Sequence, residues 1–87
     1  MRYRVDVASR RVEKEIKAVE NQYRERIITA IDGLGENPRP HGYTKLEGIY
    51  YRIRVGPYRV IYAILDDEHF VVIHRVRRRS ESTYRDF

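Results

Sequence analysis

The segment from Tyr50 to Tyr62 constrains this chain most, because apolar and cationic residues alternate on both sides of a Gly-Pro pair. Alternation with a period of two predicts strands, and glycine suits the positive φ at the first centre of a type II′ turn. The resulting hairpin pairs Val55 with Tyr58 and Arg54 with Arg59. One face is then apolar, and the other carries cations: the first comprises Tyr51, Ile53, Val55, Tyr58, Val60 and Tyr62, and the second Arg52, Arg54 and Arg59 with Tyr50, Ile61 and Ala63. Like charges directly opposite each other destabilise a sheet, so this arginine face predicts an anionic partner.

The overall charge agrees with that expectation. The net charge is +5 over 87 residues, and most of the basic residues are arginine. The planar guanidinium matches phosphate bidentately, whereas lysine presents a point charge, so the bias favours a polyanion. A charged thermophile surface is the other explanation, and both can hold at once.

Several classes of protein are excluded by what the chain lacks. It contains no cysteine, which excludes disulfides, thiolate metal sites and thiol catalysis. His41, His69 and His74 have no partner at a metal-ligand spacing, so no metal site is expected. No apolar run approaches the ~18 residues of a membrane span, and the length suits one domain over residues 1–87 with a single modest core. We expect a soluble, cytoplasmic protein without a cofactor.

The N-terminal half predicts a strand followed by a helical hairpin. Residues Tyr3 to Val7 alternate, and Ser9 and Asn21 are placed to cap two helices. Each helix carries one apolar stripe: Val12, Ile16 and Val19 in the first, and Tyr23, Ile27, Ala30, Ile31 and Leu34 in the second. Gly35 at C′ and then Pro38 are expected to end the second helix, and Glu36 to Ile49 to form a loop.

The C-terminal half adds a third strand to the hairpin, from His69 to about Val76. Two registers are possible. In the first, Phe70, Val72, His74 and Val76 face the core, whereas the second drives Arg75 inward, so the cost of an unpaired buried guanidinium favours the first. Residues 80–87 suggest a short helix carrying Tyr84. The expected fold is α+β, with two helices on one face of a mainly antiparallel four-stranded sheet and the other face basic.

In this order, the chain resembles the RelE/ParE superfamily of toxins from type II toxin–antitoxin systems. The similarity covers nearly the whole chain. The matching pieces are Asn37-Pro38-Arg39-Pro40, Lys45-Leu46-Glu47-Gly48, Tyr51-Arg52-Ile53-Arg54-Val55-Gly56, Tyr58-Arg59-Val60-Ile61-Tyr62, and Val76 to Arg79 followed by Tyr84. For RelE-type members this resemblance implies an mRNA interferase acting in the ribosomal A site. It also implies a RelB-like antitoxin that wraps the toxin in a hetero-oligomer.

The resemblance also implies residue roles. Arg54, Arg59, Arg79 and Tyr84 match the catalytic set: Arg59 holds the scissile phosphate, Arg79 stabilises the transition state and Tyr84 orients the nucleotide. Because the spacing between this arginine and the tyrosine varies in the family, Arg78 is the alternative to Arg79 for the transition-state role. The remaining RNA-binding candidates are Arg52, Lys45, Tyr50, Arg75 and Arg78.

One departure from the family pattern concerns the general base. Some relatives have lysines where this chain has Arg52 and Arg54, and an arginine with a pKa above ~12 does not give up its proton. Tyr84, Lys45, Glu47 and water remain as candidate bases. Two other functions stay open: a ParE-like inhibitor of DNA gyrase, and a non-catalytic relative that binds RNA or an antitoxin.

Overall fold

The computed structural model describes residues 2–79, so the expected C-terminal helix and Tyr84 lie outside the described residues. In chain order the elements are β1 (Arg4–Val7), α1 (Arg10–Lys17), α2 (Asn21–Glu36), β2 (Thr44–Glu47), β3 (Tyr50–Val55), β4 (Tyr58–Leu65) and β5 (Phe70–Arg78). The strands form one sheet in the order β1-β5-β4-β3-β2. Strand β1 is parallel to β5, and the other neighbours are antiparallel. The α+β class and the order of helices and strands are confirmed.

The sheet has five strands, not the four expected. Strand β2 lies inside the segment that the sequence suggested was a loop, and it pairs with β3 through Thr44 opposite Arg52 and Lys45 opposite Tyr51. Its four residues alternate between half-buried and exposed, which is too short a pattern to predict a strand. Because glycines flank so short a run, the pairing strand β3 decides its conformation more than its own sequence does.

Both helices pack on one face of the sheet, as predicted. Their stripes contribute Val12, Val19, Ile27 and Leu34 to a core built mainly from β3, β4 and β5. Within residues 2–79, no helix is long and apolar enough to cross a membrane.

The end of α2 differs from the prediction for a reason of packing. The helix continues through Gly35 to Glu36, and Asn37 is its C-cap. A Cβ atom on Gly35 would lie 3.0 Å from the backbone carbonyl oxygen of Tyr3. The N–H of Tyr3 also donates a 2.7 Å hydrogen bond to the Gly35 carbonyl. Gly35 therefore permits close approach of β1 and does not end the helix.

The hairpin that opened the sequence analysis is confirmed. Val55 pairs with Tyr58 and Arg54 with Arg59. Gly56 has φ +58°, and a Cβ there would meet the Tyr23 ring at 2.8 Å, so the turn needs glycine both for conformation and for space.

The preferred register of β5 is wrong over its first half. Leu65 pairs with Phe70, and Val71 and Ile73 face the core, where both are fully buried. A bulge then follows, because Tyr62 pairs with Ile73 while Ile61 pairs with Arg75. His74 is the extra residue, and beyond it Val76 returns to the core, as predicted.

Candidate active site

Three arginines lie side by side across the central strands. Arg54 of β3 is opposite Arg59 of β4, and Arg59 is opposite Arg77 of β5. We call Arg54, Arg59 and Arg77 the arginine row. Neighbouring strands are ~4.8 Å apart, so three formal positive charges share a width of about 10 Å on the face away from the helices.

The bulge at His74 is what aligns Arg77 with this row. In a regular ladder from the Tyr62–Ile73 pair onward, Val76 would lie opposite Arg59, and Arg77 would lie opposite the core residue Tyr58. The extra residue shifts the ladder by one, which puts Val76 against Val60 in the core and Arg77 against Arg59. A single inserted residue therefore lets Ile73 and Val76, three residues apart, both face the core, and it leaves Arg77 on the outer face.

Arg52 lies two residues before Arg54 on β3, opposite Ile61 and on the same face as the row. Arg52 is only 9% exposed, and its Nη2 donates to the Thr44 hydroxyl at 2.8 Å. Strand β2 therefore helps to fix the position of the Arg52 guanidinium. Arg54 is exposed, whereas Arg59 and Arg77 are half-buried, so solvent exposure decreases from β3 to β4 and β5.

Arg79 reaches the same end of the sheet through its backbone. Its N–H donates to the Pro57 carbonyl at 2.6 Å, which holds the chain leaving β5 against the β3–β4 turn. Pro57, Arg59, Arg78 and Arg79 line a cleft of about 360 Å³ at that point. Arg59 and Arg79 therefore lie at the same cleft.

Three other predicted site residues make their contacts away from the arginine row, although Arg78 also lines this cleft and Arg75 lies opposite Ile61. Arg75 is buried, and its Nη1 pairs with Glu15 of α1 at 3.3 Å. Arg78 faces the helices, where its Nη1 pairs with Glu20 at 3.1 Å and its guanidinium lies over the Tyr58 ring. Lys45 is exposed at the sheet edge and opposite Tyr51, so its register places it on the helix-bearing face.

Two residues of the arginine face were missed by the sequence prediction. Arg77 was treated only as part of a basic run, although the inward position of Val76 already assigned its neighbour to the outer face. His74 was expected in the core, but its ring lies 5.3 Å from that of Tyr50, which shares the outer face through its pairing with Ala63. Alternation cannot reveal a bulge, so no sequence signal was available for His74.

A carboxyl group with a strongly lowered pKa lies in a different region, at the β4–β5 turn. Hydrogen bonds from Arg39 and Tyr3 lower the pKa of Asp66 to about 2. The Arg39 Nη2 to Asp66 Oδ2 distance is 2.8 Å, and the Tyr3 hydroxyl donates to Oδ1 at 2.6 Å. This cluster ties the segment after α2 to β1 and to the β4–β5 turn, so its role is structural.

Within residues 2–79, no three His, Asp or Glu side chains converge closely enough to bind a metal ion. The chemically useful groups of the arginine face are its guanidinium donors and the aromatic rings of Tyr50, His74 and Phe70. Such donors bind anionic oxygens, and their fixed geometry suits phosphate.

Comparison with known proteins gives the family. Residues 6–83 match the model of the ParE toxin of the type II toxin–antitoxin system parDE. The RelE1 protein of Methanocaldococcus jannaschii is 30% identical over 91 residues, covering 99% of each chain.

Solved structures agree. RelE in the archaeal RelE–RelB complex from Pyrococcus horikoshii OT3 superposes with a TM-score of 0.82 at 29% identity, covering 94% of this chain and 100% of that one. The isolated Escherichia coli RelE toxin gives 0.76 at 26% identity, over 93% and 88% of the two chains. This chain is therefore a toxin of the RelE/ParE superfamily of type II toxin–antitoxin systems.

Proposed function

We propose that this toxin is an endoribonuclease that cleaves mRNA by attack of a ribose 2′-hydroxyl on the adjacent phosphate. The single observation that carries the proposal is the arginine row, Arg54, Arg59 and Arg77, with Arg79 held beside it. Three cations directly opposite one another repel each other, and a phosphate between them removes that penalty.

The chemistry needs few protein groups because RNA carries its own nucleophile. The O2′–P bond forms as the P–O5′ bond breaks, the 2′-hydroxyl loses its proton to a base, and the departing 5′-oxygen gains one. The products are a 2′,3′-cyclic phosphate and a 5′-hydroxyl. Negative charge grows on the phosphoryl oxygens in the transition state, and preorganised guanidinium donors stabilise it there.

The positions of the arginines suggest a division of roles. We assign Arg59, at the centre of the row, to the scissile phosphate, with Arg54 and Arg77 on either side of it. Arg79 approaches from the turn side of the cleft and supplies further charge stabilisation. Arg52 and Tyr50, farther along β3, are proposed to contact the RNA on one side of the cleaved bond.

The outlying basic residues receive different roles. Arg75 and Arg78 are ion-paired towards the helices, so we propose that they position the end of β5 and do not themselves contact the reacting phosphate. Lys45, at the exposed sheet edge, is available for a more distant RNA contact. The resemblance assigns nucleotide orientation to Tyr84, and that role remains part of the proposal.

The partners follow from the same family. The Pyrococcus horikoshii relative is a complex of RelE with RelB, and we propose that a RelB-like antitoxin binds this chain in a hetero-oligomer. We also propose that cleavage takes place on mRNA in the ribosomal A site, where ribosomal RNA helps to align the message.

The test is to express the toxin and map mRNA ends by primer extension, beside Arg59→Ala and Arg77→Ala. Each replacement is expected to lower the cleavage rate ~100- to 1,000-fold, the usual effect of losing one transition-state donor. Arg10→Ala is the matched control, because Arg10 is exposed on α1, which packs on the face of the sheet opposite the row. Growth arrest with intact messages, or products that carry 5′-phosphates, would refute the proposal.

A second candidate is inhibition of DNA gyrase, since the matching family model is that of ParE. A supercoiling assay with purified gyrase separates the two functions. The endoribonuclease proposal predicts unchanged supercoiling and cleaved messages, whereas a gyrase inhibitor gives the reverse.

A further inference from the structure

An aromatic pair, Tyr50 and His74, lies on the same face as the arginine row. Tyr50 and His74 belong to β3 and β5, which are separated by β4, yet their rings are only 5.3 Å apart at an interplanar angle of 56°. They meet across Ala63, which is paired with Tyr50 and contributes only a methyl group between them. Both residues are half-buried.

The bulge accounts for the position of His74 on the outer face. His74 is the inserted residue of β5, and bulges commonly redirect a side chain next to a functional site. The same insertion that brings Arg77 into the row thus also presents the imidazole to the outer face.

The arginine face consequently has two chemically different zones. Its turn end carries the arginine row, whereas beyond Arg52 and Ile61 the three central strands carry Tyr50, Ala63 and Val72, then Leu65 and Phe70. In the outer strands, Glu47 lies opposite Tyr50 and Arg4 opposite Phe70. His74 lies three residues before Arg77, roughly 10 Å along the strand or less at a bulge. A nucleotide has a matching composition, because an anionic phosphate is joined to a flat base through one sugar.

We propose that Tyr50 and His74 form a stacking subsite for a nucleobase next to the phosphate held by the arginine row. The ligand is a single-stranded RNA base, seated against the aromatic rings while its phosphate contacts Arg59. Base stacking on aromatic side chains tolerates any base and needs no hydrogen-bond code, so the subsite supplies affinity and register. The position of the phosphate rests on the proposed function, but the stacking itself does not require cleavage.

The test measures binding of a non-cleavable oligonucleotide with 2′-deoxy sugars that carries a fluorescent 2-aminopurine base. The wild-type protein is expected to quench that base, and Tyr50→Leu or His74→Leu to weaken binding roughly 5- to 150-fold with loss of quenching. Tyr50→Phe and His74→Phe keep a ring and are expected to retain both signals. Tyr43→Leu is the control, because Tyr43 is exposed and its ring contacts Tyr51, whose side chain faces the core.

A second series moves one abasic site along the oligonucleotide. One position is expected to weaken wild-type binding and to have no further effect on Tyr50→Leu, which identifies the stacked base. Equal binding by wild type and both leucine variants, equal loss in the leucine and phenylalanine variants, or absence of wild-type binding would overturn the subsite. Message cleavage that still depends on Arg59 would, in any of these cases, leave the proposed function standing.

Discussion

Glu15 is expected to hold the end of β5 in place, and its replacement offers a quantitative test of the site's support. Strand β1 pairs with β5 only as far as Ile73, so the edge of β5 beyond that point needs another partner. Glu15 of α1 provides it: Oε1 accepts the Val76 N–H at 2.9 Å, and Oε2 lies 3.3 Å from Arg75 Nη1. We predict that Glu15→Ala destabilises the fold substantially and that Glu15→Gln does so less.

The magnitude follows from the two contacts. A hydrogen bond to a charged acceptor contributes ~1.5 to 3 kcal/mol. The Glu15 and Arg75 side chains are 18% and 11% exposed, so their pair lies between a surface pair, worth ~0 to 1 kcal/mol, and a buried one, whose disruption costs ~3 to 5 kcal/mol. Since the two contacts share one carboxylate, we expect about 3 kcal/mol for alanine. Glutamine keeps an acceptor for Val76, so its cost is about 1 kcal/mol.

Urea unfolding at neutral pH measures these differences, and amide hydrogen exchange at Val76 reports the local contact. For a domain of this size, a loss of 3 kcal/mol lowers the melting temperature by roughly 10 to 20 °C. Glu13→Ala is the control on the same helix, because Glu13 is exposed, and its effect should stay within about 0.5 kcal/mol. An alanine variant at position 15 with an unchanged unfolding midpoint and unchanged Val76 exchange would refute the reasoning.

Two further predictions concern the glycines of α2 and the pH dependence of folding. Gly33→Ala should stabilise the protein by about 0.5 to 1 kcal/mol, because nothing lies within 4 Å of the added Cβ. Gly35→Ala should destabilise it by ~1 to 3 kcal/mol, since its Cβ would meet the Tyr3 carbonyl oxygen at 3.0 Å; thermal unfolding of both variants decides, and equal shifts would contradict the packing explanation. The folded-state pKa of Asp66 is lowered from 3.8 to about 2, so its contacts with Arg39 stabilise the fold above pH 4, and that contribution is lost as pH falls towards 2. Urea unfolding of wild type and Asp66→Asn should therefore differ above pH 4 and converge near pH 2, and a constant difference would be inconsistent with this assignment.

The parts of the fold that were predictable from sequence are those with local, repeated signals. The hairpin from Tyr50 to Tyr62 has alternation and a turn glycine, and its register follows from both. The helical stripes are equally local, and they identified the core positions Val12, Val19, Ile27 and Leu34. Two of the three residues of the arginine row, Arg54 opposite Arg59, came directly from this reasoning.

The remaining features depend on neighbours that are distant in sequence. Strand β2 has only four residues and exists because β3 offers it a partner. Gly35 looked like a helix terminator, but its role is set by contact with Tyr3 from the other end of the chain. The bulge at His74 leaves no trace in the alternation, and it decides that Arg77 joins the row while Arg75 pairs with Glu15.

The bulge also sets how this toxin can tolerate changes of length. Substitutions in β5 alter one side chain. Deletion of His74 would remove the unpaired residue and leave a regular ladder in which Val76 still lies opposite Val60 and Arg77 opposite Arg59. An insertion between Ile73 and Val76 would add a second extra residue and shift the later residues by one, which turns Arg77 inward and Val76 outward. The nearby β4–β5 turn, Asp66 to His69, is exposed and lies beyond this constraint. Insertions and fusions are therefore best placed at that turn, away from the ion pair of Asp66, while the segment between Ile73 and Arg77 should not be lengthened in any variant.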